Sequence, residues 1–184
     1  MVFQEPLTSL NPVFTIGDQI GEAIQIHQTA AQNEVDERSA QLLKDVGIAA
    51  PAQRLKDYPH QLSGGQRQRV MIAMALSCRP EVLIADEPTT ALDVTIQSQI
   101  LKLMKRLVKE HRTAMILITH DLAEAKALCG RVALMHKGQI QTTGSPAELR
   151  RQLFREQVYT LDVGEMDISI LQSLSQNANI SYQP

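Results

Sequence analysis

Two carboxylates at the end of an apolar run are the side chains of this sequence best suited to chemistry. Asp86 and Glu87 directly follow the apolar residues 82–85. A carboxylate pair at the end of a buried strand costs free energy unless it meets a cation or strong hydrogen-bond donors. One carboxylate can anchor Mg²⁺, and the other can accept a proton from a water that attacks a phosphate. The alternative interpretation is an acidic pair that only caps the turn at Pro88.

A serine and two glycines upstream of these acids form a second candidate site. Ser63, Gly64, Gly65 and Gln66 fit a capping box, in which Ser63 and Gln66 bond each other's backbone. No cap requires the two glycines, each of which costs roughly 1 kcal/mol in a helix relative to alanine. Bare backbone at a helix N-terminus suits a phosphate, because free N–H groups and the positive dipole end point at the anion. We therefore expect phosphate contact here, with a plain helix cap as the alternative.

The roles of three further polar residues depend on where the fold places them. His120 follows the next apolar run, residues 114–118, and can reach the level of the acidic pair if the two runs are parallel strands. A histidine at a strand end is more often a structural hydrogen-bonding group than a catalytic one. Asp93 is expected to be the N-cap of the following helix. Gln4, after a short apolar stub, is uninformative by itself.

The apolar pattern predicts an α/β arrangement that positions these residues. After Ser63, apolar runs alternate with helical patterns, as in the βαβ units of a parallel sheet. The predicted elements are a buried helix from Gly64, a strand at 82–85 covered on both faces, a helix at about 94–110, a buried strand at 114–118 and a helix at 122–129.

The flanking segments predict helices upstream and a hairpin downstream. Two amphipathic helices are expected at about 15–29 and 34–46, the second ended by Gly47. Strands at 132–135 and 140–143 join around Lys137 and Gly138. A helix to about residue 154 begins with the capping box Ser145-Pro146-Ala147-Glu148.

Composition narrows the function classes. The net charge of -2 gives no electrostatic footprint for nucleic acid or anionic lipid. Cys78 and Cys129 lack metal or redox spacing and read as reduced core thiols of a cytosolic protein. No apolar run approaches the eighteen or so residues of a membrane span, and the N-terminus has no signal-peptide pattern. We expect any role in a membrane process to be exerted from the cytosolic side, through a partner.

Taken together, these segments resemble the ATP-binding subunits of ABC transporters. The similar elements are the signature motif at Leu62–Gln66, the Walker B strand with its catalytic glutamate at 82–87, the D-loop at 91–93, the switch histidine His120 and the Q-loop glutamine Gln4. The resemblance implies catalytic roles for Glu87 and His120, and Mg²⁺ binding by Asp86 and Gln4. It further implies ATP binding by Gln4, Ser63, Gly64, Gly65, Gln66 and Asp93.

A closer resemblance covers about residues 1–149. Residues 3–12, 58–69 and 84–95 are similar to the ATP-binding subunits of bacterial dipeptide, oligopeptide and nickel importers. The family then implies a partial RecA-like P-loop NTPase core, a parallel sheet with flanking helices, into which an α-helical subdomain at about 12–76 is inserted. The expected domain is residues 1–154, followed by a tail at 155–184 that could form a small β-α appendage.

The resemblance also implies a function and partners. The expected protein is the motor subunit of an importer and couples ATP hydrolysis to solute uptake. The expected solute is a peptide, and nickel or another small solute is the alternative. It would lie at the cytoplasmic face of the bacterial inner membrane as a peripheral subunit. Its partners would be membrane-spanning permease subunits, a second ABC ATPase subunit in a homo- or heterodimer and, indirectly, an external solute-binding protein, with no nucleic acid.

One family motif has no counterpart in the 184 residues. A P-loop requires G-x-x-x-x-G-K-[ST] to cradle the phosphates, and no two glycines of this sequence have that spacing. The family places this Walker A motif upstream of the Q-loop. We therefore expect an N-terminally truncated cassette that alone binds ATP weakly and hydrolyses it negligibly. Two alternatives remain open: a non-catalytic remnant or interaction module that supplies only the signature half-site, and a non-transport ABC ATPase of DNA repair or translation.

Overall fold

Helices dominate the chain up to residue 76, and both strands and helices follow between residues 82 and 153. The computed structural model describes residues 1–153, and the predicted appendage at 155–184 lies outside them. Residues Met1–Leu149 form one compact unit, and a second unit begins at Arg150. In chain order the elements are α1 (Pro6–Ser9), α2 (Ile16–His27), α3 (Gln32–Asp45), α4 (Pro51–Arg54), a 3₁₀ turn (Pro59–Gln61), α5 (Gly64–Leu76), β1 (Val82–Asp86), α6 (Val94–His111), β2 (Ala114–Ile118), α7 (Leu122–Leu128), β3 (Val132–His136), β4 (Gln139–Gly144) and α8 (Pro146–Leu153).

A parallel β-α-β unit forms the centre of the fold, as the sequence predicted. β1 and β2 pair in parallel from Val82↔Ala114 to Asp86↔Ile118, with α6 as the crossover. The N-terminal stub extends this arrangement, because Val2 forms an isolated parallel bridge with Ala85 on the other edge of β1. Backbone hydrogen bonds from Val2 N to the Ile84 oxygen (2.8 Å) and from Asp86 N to the Val2 oxygen (2.9 Å) hold it.

The sheet buries only one of its faces against the described residues. Leu83 and Ala85 join the core with residues of α5 and α6. Ile84, between Leu83 and Ala85, points to the other face and is 37% exposed. Its partner on β2, Ile116, is 54% exposed. The expectation of strands covered on both faces is therefore wrong for residues 1–153. The apolar runs are as predicted, but no element of this range packs over the second face.

Amphipathic helices build the rest of the core at the predicted positions. The buried stripe of α6 contains Ile100, Leu103, Met104 and Leu107, so the helix presents one apolar face to the core. The predicted helices at 15–29 and 34–46 appear as α2 and α3. Buried side chains on them come from isoleucines, a valine and a leucine: Ile16, Ile20, Ile24, Val35 and Leu43.

The predicted helix ends and the hairpin turn are also confirmed. Gly47, at a φ of 77°, follows α3 and donates its N–H to the Lys44 oxygen at 2.9 Å. β3 and β4 form an antiparallel hairpin whose turn places Lys137 and Gly138 at positive φ. Ser145 and Glu148 form the predicted capping box of α8, with Ser145 N donating to Glu148 Oε2 at 2.8 Å.

No helix within residues 1–153 combines the length and apolar character needed to cross a bilayer.

The one-sided burial of the sheet predicts unequal effects of truncating neighbouring strand residues. Leu83→Ala removes a fully buried side chain and should lower the free energy of unfolding by about 2–5 kcal/mol. Ile84→Ala, on the other face of the same strand, should cost roughly 1 kcal/mol or less. Urea denaturation of the two variants measures the difference. An equal loss would show that the second face of β1 is also packed.

Candidate active site

Three chain segments bring polar side chains to one edge of the parallel sheet. Gln4 follows the Val2 bridge, Asp86 and Glu87 end β1, and His120 follows β2. The segments run in parallel, so all of these residues leave the sheet at the same edge. The structure thus brings together the candidates that sequence analysis placed at strand ends.

The carboxylate of Glu87 is the meeting point of this group. Gln4 Nε2 donates to Glu87 Oε2 at 2.9 Å, and Thr90 Oγ1 donates to the same oxygen at 2.9 Å. His120 Nδ1 lies 3.3 Å from the other oxygen, Glu87 Oε1. Gln4 and His120, from distant parts of the chain, and the neighbouring Thr90 therefore fix the orientation of one carboxylate.

The backbone at Glu87 is held in an uncommon conformation. Its φ of 43° lies in the left-handed region, which few residues other than glycine adopt. Its N–H donates to the Ile118 oxygen at 2.9 Å, so the turn is anchored to the end of β2. Such strain persists where the surrounding structure enforces it, and it clusters at functional sites.

Hydrogen bonding keeps Glu87 ionised. The Thr90 hydroxyl, then the His120 ring, lower the pKa of the Glu87 carboxyl from its ordinary value, and they outweigh a smaller upward effect of desolvation. A charged carboxylate at neutral pH can accept a proton or orient a water molecule. Glu87 is therefore in the protonation state that a general base requires, and its contacts fix its position.

Asp86 is the candidate metal ligand beside this base. It is half-buried, and its carboxylate has no hydrogen bond or ion pair to residues 1–153. Gln4 donates a hydrogen bond from its amide nitrogen to Glu87, and its amide oxygen accepts no hydrogen bond in the described part of the chain. The same residues contain no cluster of three or more His, Cys, Asp or Glu that could enclose a metal. A free carboxylate and a free amide oxygen are ligand types that suit Mg²⁺, which keeps waters and substrate oxygens as its other ligands.

The predicted phosphate-contact segment begins α5, away from the Glu87 group. Ser63 and Gln66 form the capping box, with Gln66 N donating to Ser63 Oγ at 3.3 Å and Ser63 N donating to Gln66 Oε1 at 2.9 Å. The cap reading is therefore correct for the local structure, and phosphate contact by Ser63, Gly64, Gly65 and Gln66 stays a prediction.

Packing explains why one of the two positions is a glycine but does not explain the other. A Cβ at Gly65 would lie 2.8 Å from Ile96 Cγ2, so the start of α5 needs a glycine to pack against the start of α6. No cap requires a glycine at this position, and the packing of Gly65 against Ile96 is a reason that sequence analysis did not identify. A Cβ at Gly64 would meet only Leu92 Cδ2, at an ordinary 3.7 Å. Gly64 is thus the position where packing leaves the absence of a side chain unexplained.

Asp93 lies beside this segment. The predicted N-cap is confirmed, because Asp93 Oδ1 accepts a hydrogen bond of 3.0 Å from Ile96 N. The contacts from the glycines to Leu92 and Ile96 place the Ser63 segment next to residues 91–93. The candidates therefore fall into two groups, one around Glu87 and one formed by Ser63 to Gln66 with Asp93, and no side-chain hydrogen bond between residues 1–153 joins them.

Sequence reasoning missed two polar side chains at the site. Thr90 is the second hydroxyl after the acidic pair, and a donor so close to a carboxylate could have been noticed. Glu124 is 5% exposed on α7 and accepts hydrogen bonds from Thr89 and Thr119. The available signal was the pair of threonines, one on each loop that carries a candidate catalytic residue.

The contacts of Glu87 predict how its charge responds to Thr90. Since the folded-state pKa lies below the unfolded one, these contacts contribute to stability above the unfolded pKa, and the contribution is lost as pH falls through the folded pKa. Thr90→Val removes the largest cause of the lowering and should raise the pKa of Glu87. Carbon-13 NMR of the Glu87 carboxyl, in magnesium-free buffer, measures the shift. Thr95→Val, on the exposed start of α6, is the control and should leave this pKa unchanged; an unchanged pKa in Thr90→Val would contradict the assignment.

Known proteins resemble this chain in sequence. Residues 1–90 match the family model described as ABC transporter. The chain is 57% identical over 145 residues to the Peptidoglycan transport ATP-binding protein YejF of Agrobacterium fabrum, covering 79% of this chain and 27% of that protein. It is 56% identical over 149 residues to the Glutathione import ATP-binding protein GsiA of Escherichia coli strain K12, covering 81% and 24%. The chain thus spans about a quarter of the length of the curated relatives it matches.

Solved structures confirm the fold. The structure of cbiO1 from Clostridium perfringens, part of the ABC transporter complex cbiONQ, matches with a TM-score of 0.70 at 32% identity, over 84% of this chain and 58% of that one. The post-hydrolysis ATP-binding cassette MJ0796, bound to ADP and Pi, matches with a TM-score of 0.66 at 31% identity, over 79% and 61%. The predicted RecA-like α/β core is therefore the fold of ATP-binding cassettes. With the motifs around Ser63 and Glu87, these matches show that the chain belongs to the ABC transporter family and carries part of its ATP-binding cassette.

Proposed function

We propose that this chain is part of the ATP-hydrolysing motor subunit of an importer for peptides or similar small solutes. Hydrolysis would be coupled to solute uptake across the cytoplasmic membrane. The observation that carries the proposal is the Glu87 carboxylate, ionised and held by Gln4 and His120 beside the unpartnered Asp86.

The residues around Glu87 have separable tasks. Glu87 accepts a proton from the attacking water, and Gln4 and His120 fix the orientation of its carboxylate. Asp86, with the amide oxygen of Gln4, would hold Mg²⁺. When bound with ATP, this ion neutralises charge on the transferring phosphoryl group. His120 is 71% exposed, so its ring is also accessible to a phosphate oxygen.

The second group would serve a nucleotide held by another subunit. Ser63 and Asp93 are exposed, and they lie together at the starts of α5 and α6. Two helix N-termini side by side offer N–H donors and positive dipole ends to an anion. The proposed partner is a second ATP-binding cassette, in a homo- or heterodimer, whose P-loop holds the phosphates that Ser63, Gly64, Gly65 and Gln66 contact.

The names of the relatives favour a peptide-like solute. One is a peptidoglycan transport protein and another a glutathione import protein, and both solutes contain peptide bonds. The proposed partners are therefore membrane-spanning permease subunits and, indirectly, an external solute-binding protein. The chain would lie as a peripheral subunit on the cytoplasmic face of the membrane.

A cleft between the helices of the first half is the proposed permease contact. It has a volume of about 920 Å³ and lies between α2, α3 and α4, in the predicted helical subdomain. Its charged lining consists of one lysine and four acids: Lys56, Asp18, Glu22, Asp36 and Glu37. This excess of negative charge favours a partner segment that carries basic residues.

A cassette exchange tests the proposed reaction. In this hybrid, called the exchange protein, residues 1–149 of this chain replace the matching segment of the GsiA protein of Escherichia coli, which is 56% identical over 149 residues. We expect Mg²⁺-dependent ATP hydrolysis, and Glu87→Gln should lower kcat by about 100-fold or more because it removes the base. Phosphate release in steady state measures the effect.

Glu81→Gln is the matched control for this substitution. Glu81 directly precedes β1 and Glu87 directly follows it, so the two acids lie at opposite ends of one strand. The control should hydrolyse ATP at the unsubstituted rate. An exchange protein that folds and hydrolyses ATP equally well with glutamine at position 87 would refute the proposed role of Glu87. As a separate polypeptide of 184 residues, without a G-x-x-x-x-G-K-[ST] segment, the chain should show negligible turnover.

A further inference from the structure

The buried carboxylate of Glu124 ties together two loops that carry candidate catalytic residues. It is 5% exposed on α7. Thr119 Oγ1 donates to Glu124 Oε2 at 2.7 Å, and Thr89 Oγ1 donates to Glu124 Oε1. Glu124 forms no ion pair with a Lys or Arg of the described chain. Its two hydroxyl partners therefore provide the hydrogen bonds that compensate its burial.

Each threonine is close in sequence to one member of the Glu87–His120 pair. Thr89 is 1% exposed and lies two residues after Glu87, in the turn where Thr90 N donates to the backbone carbonyl oxygen of Glu87 at 3.3 Å. Thr119 directly precedes His120, and its hydroxyl also accepts a hydrogen bond of 3.0 Å from Asp121 N. One side chain thus contacts both loops immediately beside the candidate catalytic groups.

The exposed contact between Glu87 and His120 is too weak to fix these loops by itself. The two atoms are 3.3 Å apart, and the side chains are 26% and 71% exposed. Exposed ion pairs contribute little, because water screens them and long side chains lose entropy. Buried hydrogen bonds to a carboxylate are stronger and better able to hold a geometry.

We propose that Glu124 is a positioning residue that clamps the Thr89 turn to the Thr119 loop and so keeps the side chains of Glu87 and His120 in contact. Its carboxylate is buried against the two threonines, so it acts through the loops that carry Glu87 and His120. Its importance for catalysis depends on the proposed ATP hydrolysis, whereas its effect on loop geometry does not. Loss of the clamp should let the two loops move apart while the core below them stays packed.

Three variants separate the clamp from general stability. Glu124→Gln keeps the shape but loses one of two carboxylate acceptors. Thr119→Val removes one donor. The triple variant Thr89→Val, Thr119→Val, Glu124→Met removes every polar group of the clamp, so it leaves no buried group unpaired and guards against variants that fail to fold.

Thr113→Val is the matched control. Thr113 is 5% exposed, and its hydroxyl donates to the Pro80 oxygen at 3.0 Å. It directly precedes β2, as Thr119 directly follows it. The control loses a buried hydroxyl bond at the far end of the same strand and leaves the clamp intact.

The first measurement uses the 184-residue chain. Imidazole nitrogen NMR of His120 reports its contact with Glu87, and amide hydrogen exchange reports the bond from Asp121 N to Thr119. All three clamp variants should shift the His120 signals, and Glu124→Gln, which keeps the Thr119 hydroxyl that accepts from Asp121 N, should speed exchange at Asp121 about 10-fold or more. Thr113→Val should change neither. If the folded variants keep the native His120 signals and Glu124→Gln keeps the native Asp121 exchange, the clamp is refuted.

The second measurement uses the exchange protein described above. A displaced base should lower kcat about 10- to 100-fold while the KM for ATP stays within roughly twofold. A clamp variant with native kcat would overturn the catalytic part of the inference. If the unsubstituted exchange protein hydrolyses no ATP, the proposed function fails, and the NMR result alone still decides whether Glu124 holds the two loops.

Discussion

Parallel pairing on both edges of β1 is the constraint on which the candidate site depends. Val2 bonds one edge of the strand and β2 the other, and the three segments run in the same direction. Long stretches of chain separate Gln4, Glu87 and His120. Because the three segments are parallel, these residues all lie at the carboxyl-terminal ends of the paired segments. The two backbone bonds that end the pairing, Asp86 N to Val2 and Glu87 N to Ile118, lie directly beneath the site.

Packing below the sheet explains why the two candidate groups can have separate tasks. α6 crosses from β1 to β2 and buries its apolar stripe in the core, so its N-cap residue Asp93 has a fixed place. α5 packs against α6 where Gly65 leaves room for Ile96. The start of α5 is thereby held beside Asp93, while the Glu87 group is held by the strand ends. One core supports both groups, and each presents its polar atoms without using those of the other.

The sequence predicted the elements well because their signals are local. The alternating β-α-β pattern, the stripe of α6, the Ser63 and Ser145 capping boxes and the turn at Gly138 all depend on neighbouring residues. The covering of the sheet is not local, and apolar runs alone do not show which face other residues pack against. Glu124 lies in a helix too short for a clear hydrophobic period, so its burial could not be predicted from periodicity. The packing role of Gly65 depends on Ile96, which only the tertiary structure brings near.

A crystal structure of the exchange protein with Glu87→Gln, ATP and Mg²⁺ would test the proposed site most directly. The decisive quantities are the separations of the position-87 and Asp86 side chains from the γ-phosphate and the metal. We expect Asp86 to contact Mg²⁺ directly or through one water. Residue 87 and His120 should both lie beside the γ-phosphate, with residue 87 within about 3 Å of a water in line for attack. A bound nucleotide whose γ-phosphate lies beyond reach of residue 87, or a metal without Asp86 in its surroundings, would contradict the proposed function.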